Sequence, residues 1–526
     1  MRDKRIIWES IRRWFMADSR MKNGTRNICA SVINRCVLIL LPFITRTLIV
    51  RVLGSSYLGL SGLFTSILNV LNLSELGFGS ALVFSMYQPA ADGDLPKIGA
   101  LLNAYKKIYR IVGAAVLLGG IVLMPFLPKL IKESWPDTIN IYVLYLIYLV
   151  NTSVSYFAFA YRRALLMAYQ NNRVLSNVNT VVSILLYVFQ IVLLRLFQNY
   201  YLYVCVLPIF TIVENVCIAA YTFKAYPGIE ERGDLSAAEK KSITVHVKGI
   251  ALQKLCSASR NSFDSIVISI YLGLTTIAVY NNYYYILSAV HALLYQISNA
   301  IRSSVGNSIV KESVDKNYRD FNIITMIYVW ISGVCGACML CLYQPFMELW
   351  MGADMLLPFE SMCLFPLYFF LLSMGDIVAL YKDGAGLWWY GRYRTIAEAV
   401  GNLVLNFLLG WLWGINGILI ATLLTVTFIG LGYGGYIVFR YYFKTPKYRN
   451  YVFLELKYVF FVMINAFAVY ALCSMIDTAG FWGLVLKGIV CAVLSAVVLW
   501  LMLRKQPYYQ ETKAFISRMF GLKRFF

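Results

Sequence analysis

Apolar stretches of helical length recur along almost the whole 526-residue chain, and they restrict its architecture more than any other feature. A helix needs about 20 apolar residues to cross a bilayer, and by this measure the sequence holds about fourteen spans. They begin near residues 27, 57, 99, 139, 174, 201, 246, 278, 321, 358, 394, 415, 452 and 481. Because helices satisfy their backbone hydrogen bonds internally, the pattern predicts an all-α polytopic membrane protein.

The charge distribution indicates how the chain is oriented. Only 14% of the residues are charged, whereas a soluble domain has about a quarter of its residues charged. The formal net charge of +21 arises because Lys and Arg cluster in alternate short connections. Cytoplasmic loops carry such an excess, so we expect an even number of spans with both termini in the cytoplasm. Since orientation explains the charge, no nucleic-acid partner is predicted. The basic residues of the opposite connections are Arg51, Lys129, Lys132, Arg195 and Lys487.

A long connection rich in charge, KAYPGIEERGDLSAAEKKSITVHVKG, divides the chain into two lobes of six spans. The start of the chain is too charged to be a cleavable signal peptide. It forms either an amphipathic helix on the membrane surface or an unstructured basic tail. The predicted organisation is a basic amphipathic N-terminal segment (1–26), an N-lobe with spans 1–6 (27–224), a cytoplasmic linker (225–245), a C-lobe with spans 7–12 (246–443), spans 13 and 14 (452–503) and a basic C-terminal tail (504–526).

The two lobes share a short similarity at an offset of 219 residues. The stretch VLGSSYLGLSGLFTSILNVLN (52–72) aligns with YLGLTTIAVYNNYYYILSAVH (271–291). Repeats of the same orientation are related by an axis along the membrane normal. We therefore expect the lobes to be related by a pseudo-twofold axis along that normal. The identities are Leu53/Leu272, Gly54/Gly273, Ile67/Ile286 and Leu68/Leu287.

Ionisable side chains inside the predicted spans are functional candidates, because charge at membrane depth is costly unless it meets a partner or water. Arg35 and Arg46 lie eleven residues apart in span 1, about three turns, and so share one helix face. Arg260 and Asp264 lie at i and i+4 in span 7, close enough to pair. Arg302, near the inner end of span 8, extends this set.

Two interpretations of these charges stay open. In the first, carboxylates neutralise the buried arginines, with Glu75 pairing with Arg35 or Arg46 and Asp264 pairing with Arg260. In the second, arginines from both lobes converge on a hydrated cavity that binds phosphate or pyrophosphate, whose oxygens match the guanidinium fork. Glu75, which precedes two glycines, and Asp264 would then act as coupling groups or charge switches.

Amide and thiol groups add weaker candidates. Asn69, Asn72, Asn281 and Asn282 are candidate sugar contacts, although the YNNYYY stretch (280–285) also suits an interfacial belt of tyrosines. Cys335, Cys338 and Cys341 imitate a metal-ligand spacing, but they fall inside a span with no nearby histidine, so we interpret them as packing residues. No metal site is predicted.

Four stretches carry a resemblance to a known family: YLGLSGLFTSILNVLNLSELGFGSALVFSMYQPAADGD (57–94), YLGLTTIAVYNNYYYI (271–286), SVGNSIVKES (304–313) and KDGAGLWWYGRYRTIAEAVGNLVLNFLLG (382–410). Over about residues 25 to 505 the chain resembles the polysaccharide-transporter, or Wzx-like flippase, branch of the multidrug/oligosaccharidyl-lipid/polysaccharide (MOP) exporter superfamily. It departs from the family pattern at ATLLT (421–425), where a small-residue GT pair is expected.

The resemblance implies a non-enzymatic flippase in the bacterial cytoplasmic membrane, working by alternating access. Its substrate would be an undecaprenyl-diphosphate-linked glycan for capsule or exopolysaccharide synthesis. The family's cavity arginines map onto Arg35, Arg46, Arg260 and Arg302, and spans 13 and 14 would form a groove for the polyprenyl tail. It further implies a monomer among membrane lipids and other polysaccharide-assembly proteins. No cofactor is expected, and membrane potential, H⁺ or Na⁺ would supply the coupling.

Two other functions compete with this one. A multidrug/cation antiporter of the same superfamily should favour carboxylates in its cavity, and this chain has both charge types. A membrane-embedded glycosyltransferase or polymerase needs acidic catalytic residues or large outer loops, and the predicted outer loops are short. The basic and aromatic KDGAGLWWYGRYR stretch (382–394) is either an inner-leaflet anchor or a gate for incoming substrate.

Overall fold

The computed structural model describes residues 34–72, 78–132, 135–237, 239–240, 260, 262–445, 447–476 and 480–519. Within these ranges the chain is helical and contains no strand. The predicted all-α, polytopic class is therefore confirmed. The N-terminal segment (1–26) and Glu75 lie outside the described residues, so the expectations attached to them stay predictions.

The described residues fall into two compact units. The first contains those within Met1–Leu58, Ile67–Pro128 and Trp135–Lys254. The second contains those within Gly59–Ser66, Lys129–Ser134 and Leu255–Phe526.

The helices of the first half follow one another with very short connections. The first described helix, α1, covers residues 34–52. A 3₁₀ segment, Met124–Leu130, continues α4. After α5 the chain bends by 52° into a 3₁₀ turn, Ala160–Arg162, which leads directly into α6. The further helices are α2 (Ser55–Leu71), α3 (Phe78–Asp92), α4 (Leu95–Leu123), α5 (Ile141–Phe157), α6 (Arg163–Ala168), α7 (Asn172–Phe197) and α8 (Tyr200–Ala225).

The second half contains longer helices. Two of them, α10 and α11, have 38 residues each and exceed the roughly 20 that a bilayer requires. The helices are α9 (Ser262–Leu272), α10 (Leu274–Lys311), α11 (Val314–Met351), α12 (Phe359–Gly384), α13 (Arg392–Leu424), α14 (Gly434–Ile437, between the π-helical segments Thr425–Tyr433 and Val438–Phe443), α15 (Tyr448–Cys473), α16 (Gly480–Leu503) and α17 (Tyr509–Met519).

The continuous helical stretch Arg392–Phe443 is a hairpin of two antiparallel segments. Its backbone leaves helical geometry at Trp413 and Gly414, where Gly414 takes φ 57° and ψ −132°. Beyond this break the chain returns along itself, because Asn402 Nδ2 donates to Thr422 Oγ1 at 3.0 Å. The two arms correspond to predicted spans 11 and 12.

Eight described helices are long and apolar enough to cross a membrane, or nine if the bent pair Ile141–Phe157 and Ala160–Ala168 counts as one span. One of the eight is the hairpin just described. Of the remaining predicted spans, span 1 coincides with α1 and span 2 with α2 and α3. Span 7 coincides with α9, and span 8 with α10. The described parts of these helices are shorter or more polar than the others.

The proposed internal repeat has a backbone counterpart. Gly54 precedes α2 with φ 108° and ψ 166°, and Gly273 precedes α10 with φ 90° and ψ 178°. Each glycine donates its N–H to a carbonyl five residues earlier, Ile49 and Ile268 respectively, at 3.1 Å in both cases. Glycine alone adopts these angles readily. The aligned LG pairs therefore mark the same sharp junction between two helices in each half.

Candidate functional site

A carboxylate held by two arginines forms the centre of the polar site in the second unit. Arg260 Nη1 lies 2.9 Å from Glu398 Oε1, and Arg394 Nη1 lies 2.8 Å from Glu398 Oε2. All three side chains are more than four-fifths buried. Arg394 and Glu398 lie one turn apart near the start of α13, which places them on the same helix face.

The two guanidinium groups keep unused donors. The Nε–H groups of Arg260 and Arg394 are buried and have no hydrogen-bond partner among the described residues. A buried unsatisfied donor is costly, and a charged one more so. The cluster therefore offers hydrogen bonds and excess positive charge to an anion that reaches it.

Asp264 lies next to this cluster but is held by neutral donors. Its side chain is fully buried. Asn406 Nδ2 donates to Oδ1 at 2.6 Å, Tyr280 Oη donates to Oδ2 at 2.9 Å, and Thr422 Oγ1 approaches both oxygens at 3.2–3.3 Å. The ion-pair partner of Arg260 is thus Glu398, whereas the i, i+4 spacing suggested Asp264. Neutral donors from α10 and both arms of the hairpin already occupy the lone pairs of Asp264.

Arg302 joins a second polar cluster around Asp383. Arg302 Nη1 lies 3.1 Å from Asp383 Oδ2, and Lys382 Nζ lies 3.6 Å from Oδ1 of the same carboxylate. Trp388 Nε1 also donates to Asp383, at 3.1 Å. These contacts connect α10 with the end of α12. The basic and aromatic stretch that follows α12 is thereby tied to Asp383 through the Trp388 indole N–H, although the rings of Trp388, Trp389 and Tyr393 are all exposed.

A third pair in the same unit was not singled out from the sequence. His291 Nε2 of α10 lies 3.1 Å from Asp376 Oδ2 of α12, and both side chains are mostly buried. His291 also contacts the rings of Tyr295 and Phe369. The imidazole is thus positioned by aromatic packing on two sides.

In the first unit the two predicted arginines differ in environment. Arg35 is exposed and Arg46 is half-buried. Arg46 lies close enough to Tyr187 and Tyr203 for electrostatic interaction. The convergence of these arginines with those of the second unit remains a prediction.

A polar chain crosses the first unit near Glu214. Arg163 Nη2 lies 3.0 Å from Glu214 Oε1, and Asn179 Nδ2 donates to the same oxygen at 3.1 Å. Asn34 Nδ2 in turn donates to Asn179 Oδ1 at 2.7 Å. Helices α1, α6, α7 and α8 are therefore joined through one carboxylate. Each unit thus contains a largely buried glutamate paired with arginine.

The predicted sugar contacts differ in their local environments. Asn69 is exposed and Asn72 accepts a hydrogen bond from Tyr156. Asn281 is half-buried and accepts from Ser265 Oγ at 3.4 Å, whereas Asn282 is fully buried. Solvent does not reach Asn282 in this conformation, so a sugar would contact it only after rearrangement.

The described part of the predicted linker (225–245) is anchored at Glu231. Its carboxylate accepts from Arg162 Nε at 2.8 Å, Lys106 Nζ at 2.7 Å and Tyr161 Oη at 2.9 Å. Burial raises the pKa of Glu231, but the hydrogen bonds from Lys106 and Tyr161 and the charge of Arg162 outweigh it, so the net pKa shift is downward. Arg162 is 2% exposed, which makes Glu231 its necessary counter-ion.

Three cysteines from different helices meet in the second unit. The sulfur atoms of Cys341, Cys473 and Cys491 lie within 4.8 Å of one another, and all three side chains are buried. The sequence associated Cys341 with Cys335 and Cys338 instead. The structure shows that packing of α11, α15 and α16 brings the three thiols together; a metal there stays unassigned.

Known proteins resemble this chain in structure rather than in sequence. A scan against protein-family models found no match, and a search of curated protein sequences found none either. Among solved structures, the chain is similar to the lipid II flippase MurJ in an inward closed conformation, with a TM-score of 0.66 and 14% identity over 92% of this chain and 100% of that chain. It is also similar to an inward-facing multidrug resistance MATE family transporter of the MOP superfamily, with a TM-score of 0.62 and 14% identity over 78% of this chain and 98% of that chain.

The chain has a MATE/MurJ-like fold. A third similar structure, a mutant of the Vibrio cholerae MATE transporter VcmN, gives a TM-score of 0.56 and 14% identity over 82% of this chain and 99% of that chain. The neighbours are transporters, and the apolar helices agree with a multi-pass membrane protein.

Sequence reasoning missed Arg394 as a site residue and did not connect Glu398 to Arg260. The available signal was the i, i+4 spacing of Arg394 and Glu398 at a helix start, which typically forms a pair. Nothing in the sequence connects Arg260 to Glu398, because they are 138 residues apart.

Proposed function

We propose that the chain is a flippase that moves undecaprenyl-diphosphate-linked oligosaccharide repeat units across the bacterial cytoplasmic membrane by alternating access, with both termini in the cytoplasm. The observation that carries this proposal is the extent of the similarity to MurJ. The MurJ comparison covers 92% of this chain, whereas the MATE comparison covers 78% although nearly all of the MATE chain is used. The MurJ structure thus matches much of the part of this chain that the MATE structure does not cover.

The arginine cluster supports an anionic substrate. Arg260 and Arg394 share one carboxylate and retain free Nε–H donors. A diphosphate group reaching Arg260 would compete with Glu398, since charge-assisted bonds to phosphate oxygens are strong and can be bidentate. In this proposal Glu398 holds Arg260 while the site is empty and releases it to the substrate. Arg35, Arg46 and Arg302 are proposed to add to the same positive field.

The test is flipping in vesicles of defined composition. Purified protein is reconstituted with a fluorescent undecaprenyl-diphosphate-linked oligosaccharide, and transport is followed by the loss of access to an impermeant glycan-modifying reagent. Arg260→Gln should reduce the initial rate about 10-fold or more, whereas Arg440→Gln, at an exposed position of the same unit, should leave it unchanged. Wild-type rates equal to those of empty vesicles would overturn the proposal.

A second candidate function, multidrug/cation antiport, is favoured by the MATE neighbours and by the fully buried Asp264. A buried carboxylate at membrane depth is a functional candidate, and a coupling ion would displace the neutral donors that hold Asp264 in this conformation. Export of a cationic dye driven by a Na⁺ or H⁺ gradient, without flipping of the lipid-linked glycan, would favour antiport. Glu75 is proposed as a coupling group under either function, and Glu75→Gln should change the dependence on membrane potential or ion gradient more than the protein level.

A further inference from the structure

The C-terminal helix α17 is amphipathic and packs against the second unit. Tyr509, Thr512, Lys513, Ile516 and Ser517 line a cavity of about 140 Å³. These positions are spaced i, i+3, i+4, i+7 and i+8, so they form one helix face. The predicted basic C-terminal tail therefore contains a helix that folds back against the membrane-spanning helices α11 and α16.

The opposite walls of this cavity are apolar. Met326, Ile327 and Trp330 of α11 line one side, and Trp500 and Leu503 of α16 line the other. Such walls suit a hydrocarbon chain, because burying the methylene groups of a lipid against an apolar surface is favourable. The cavity opens next to the end of α16, where a transmembrane helix meets the membrane surface.

A basic recess adjoins the apolar cavity. Arg504, Lys505, Gln510 and Lys513 line it together with Trp500 and Tyr509. Three of these lining residues are cationic, and none of the described residues that line the recess or the cavity is acidic. Trp500 donates its Nε1–H to Tyr509 Oη at 2.9 Å, which holds the indole between the two spaces.

We propose that the groove between α11, α16 and α17 binds one anionic phospholipid, with its phosphate at Arg504, Lys505 and Lys513 and an acyl chain in the apolar cavity. Trp500, Tyr509 and Lys513 belong to both spaces, so one molecule with a charged head and an apolar tail fits them together. Tryptophan and tyrosine at the boundary are typical of the membrane interface. The groove shares no lining residue with the Arg260 cluster.

Native mass spectrometry of the full chain in detergent tests this site, with phosphatidylglycerol as the probe and phosphatidylcholine of equal chain length as the comparison lipid. Each basic residue near an anionic surface contributes about fivefold in affinity. The variant Arg504→Gln/Lys505→Gln/Lys513→Gln should therefore bind phosphatidylglycerol at least 10-fold more weakly. The matched control Lys311→Gln/Arg440→Gln/Lys444→Gln, at exposed positions of the same unit, should bind it like wild type.

Three results would overturn the proposal. The first is equal binding of the two lipids by the wild type, and the second is undiminished phosphatidylglycerol binding by the triple variant. The third is displacement of phosphatidylglycerol by glycerol 3-phosphate at the same concentration, which would indicate a site for free phosphate. Thermal unfolding without added lipid shows whether the variant folds. If it does not, Lys505→Gln alone, at an exposed position, should still weaken binding about fivefold, and unchanged binding would equally contradict the site.

Discussion

Arg260 Nη1 lies 2.9 Å from Oε1 of Glu398, and the two residues are 138 positions apart in sequence. Their contact connects Arg260, two residues before Ser262 of α9, to the start of the helical hairpin. The same carboxylate also receives Arg394, so it balances two guanidinium charges. The three side chains together carry one net positive charge in a largely buried cluster of the second unit.

Removing either partner of this pair should destabilise the protein. Arg260→Gln leaves Glu398 with Arg394, whereas Glu398→Gln leaves two arginines without a counter-charge, so we expect the second change to cost more. Groups in direct contact couple by about 0.5–3 kcal/mol. A double-mutant cycle of Arg260→Gln and Glu398→Gln, measured by reversible unfolding in bicelles, should give a coupling free energy in that range. Additive single changes would contradict the pair.

Asp264→Asn should preserve folding and alter ion coupling. The Asn side chain is nearly isosteric and its carbonyl oxygen still accepts a hydrogen bond, although the amide group loses part of the acceptor capacity that Asn406, Tyr280 and Thr422 use. If Asp264 binds a coupling cation, transport by the variant should lose its dependence on the Na⁺ or H⁺ gradient. Transport assays across imposed gradients measure this. A variant that folds and keeps the wild-type gradient dependence would remove Asp264 from the coupling mechanism.

Docking of the linker should depend on pH through Glu231. Because the pKa of Glu231 is lower in the docked state, its contribution is complete above the ordinary carboxyl pKa of about 4.3 and is lost as pH falls through the lower folded value. Hydrogen exchange of residues 229–235, corrected for intrinsic rates, should therefore accelerate below roughly pH 4.

Two variants distinguish the contacts of Glu231 from the general effect of negative charge in the linker. Glu231→Gln should accelerate exchange already at neutral pH and flatten the acid response, since buried Arg162 loses its counter-ion. Glu230→Gln is the matched control, because Glu230 is exposed and pairs only with exposed Arg232 among the described residues. Equal effects of both changes would show that general charge, rather than the Glu231 contacts, holds the linker.

The two helix junctions should respond alike to substitution. Gly54→Ala and Gly273→Ala each place a side chain at backbone angles that favour glycine, which costs about 1–3 kcal/mol. No atom lies within 4 Å of a Cβ added at Gly54, so backbone strain alone should account for the loss there. Thermal unfolding of both variants checks this. Gly375→Ala, a helical position that is open in the same way, should have no comparable effect.

Several features were predictable because they depend on local sequence. The helical class follows from apolar segment length, and the aligned LG pairs indicated the repeat in which the structure places the Gly54 and Gly273 junctions. The linker, which was predicted from its charges and glycines, stays a prediction. The partner of Glu231 was not predicted, because Arg162 acquires its position only when α5 bends into α6 and packs against α4 and α8.

The sequence alone determined that this chain must bury its backbone polar groups in helices, because hydrocarbon offers no hydrogen bonds. It also determined which charged residues would be costly at membrane depth. Only the tertiary structure decided how those charges are paired. Arg260 faces Glu398, Asp264 is held by amide and hydroxyl donors, and α17 folds back onto α11 and α16. Such pairings depend on contacts between residues far apart in the chain, where helix periodicity carries no information.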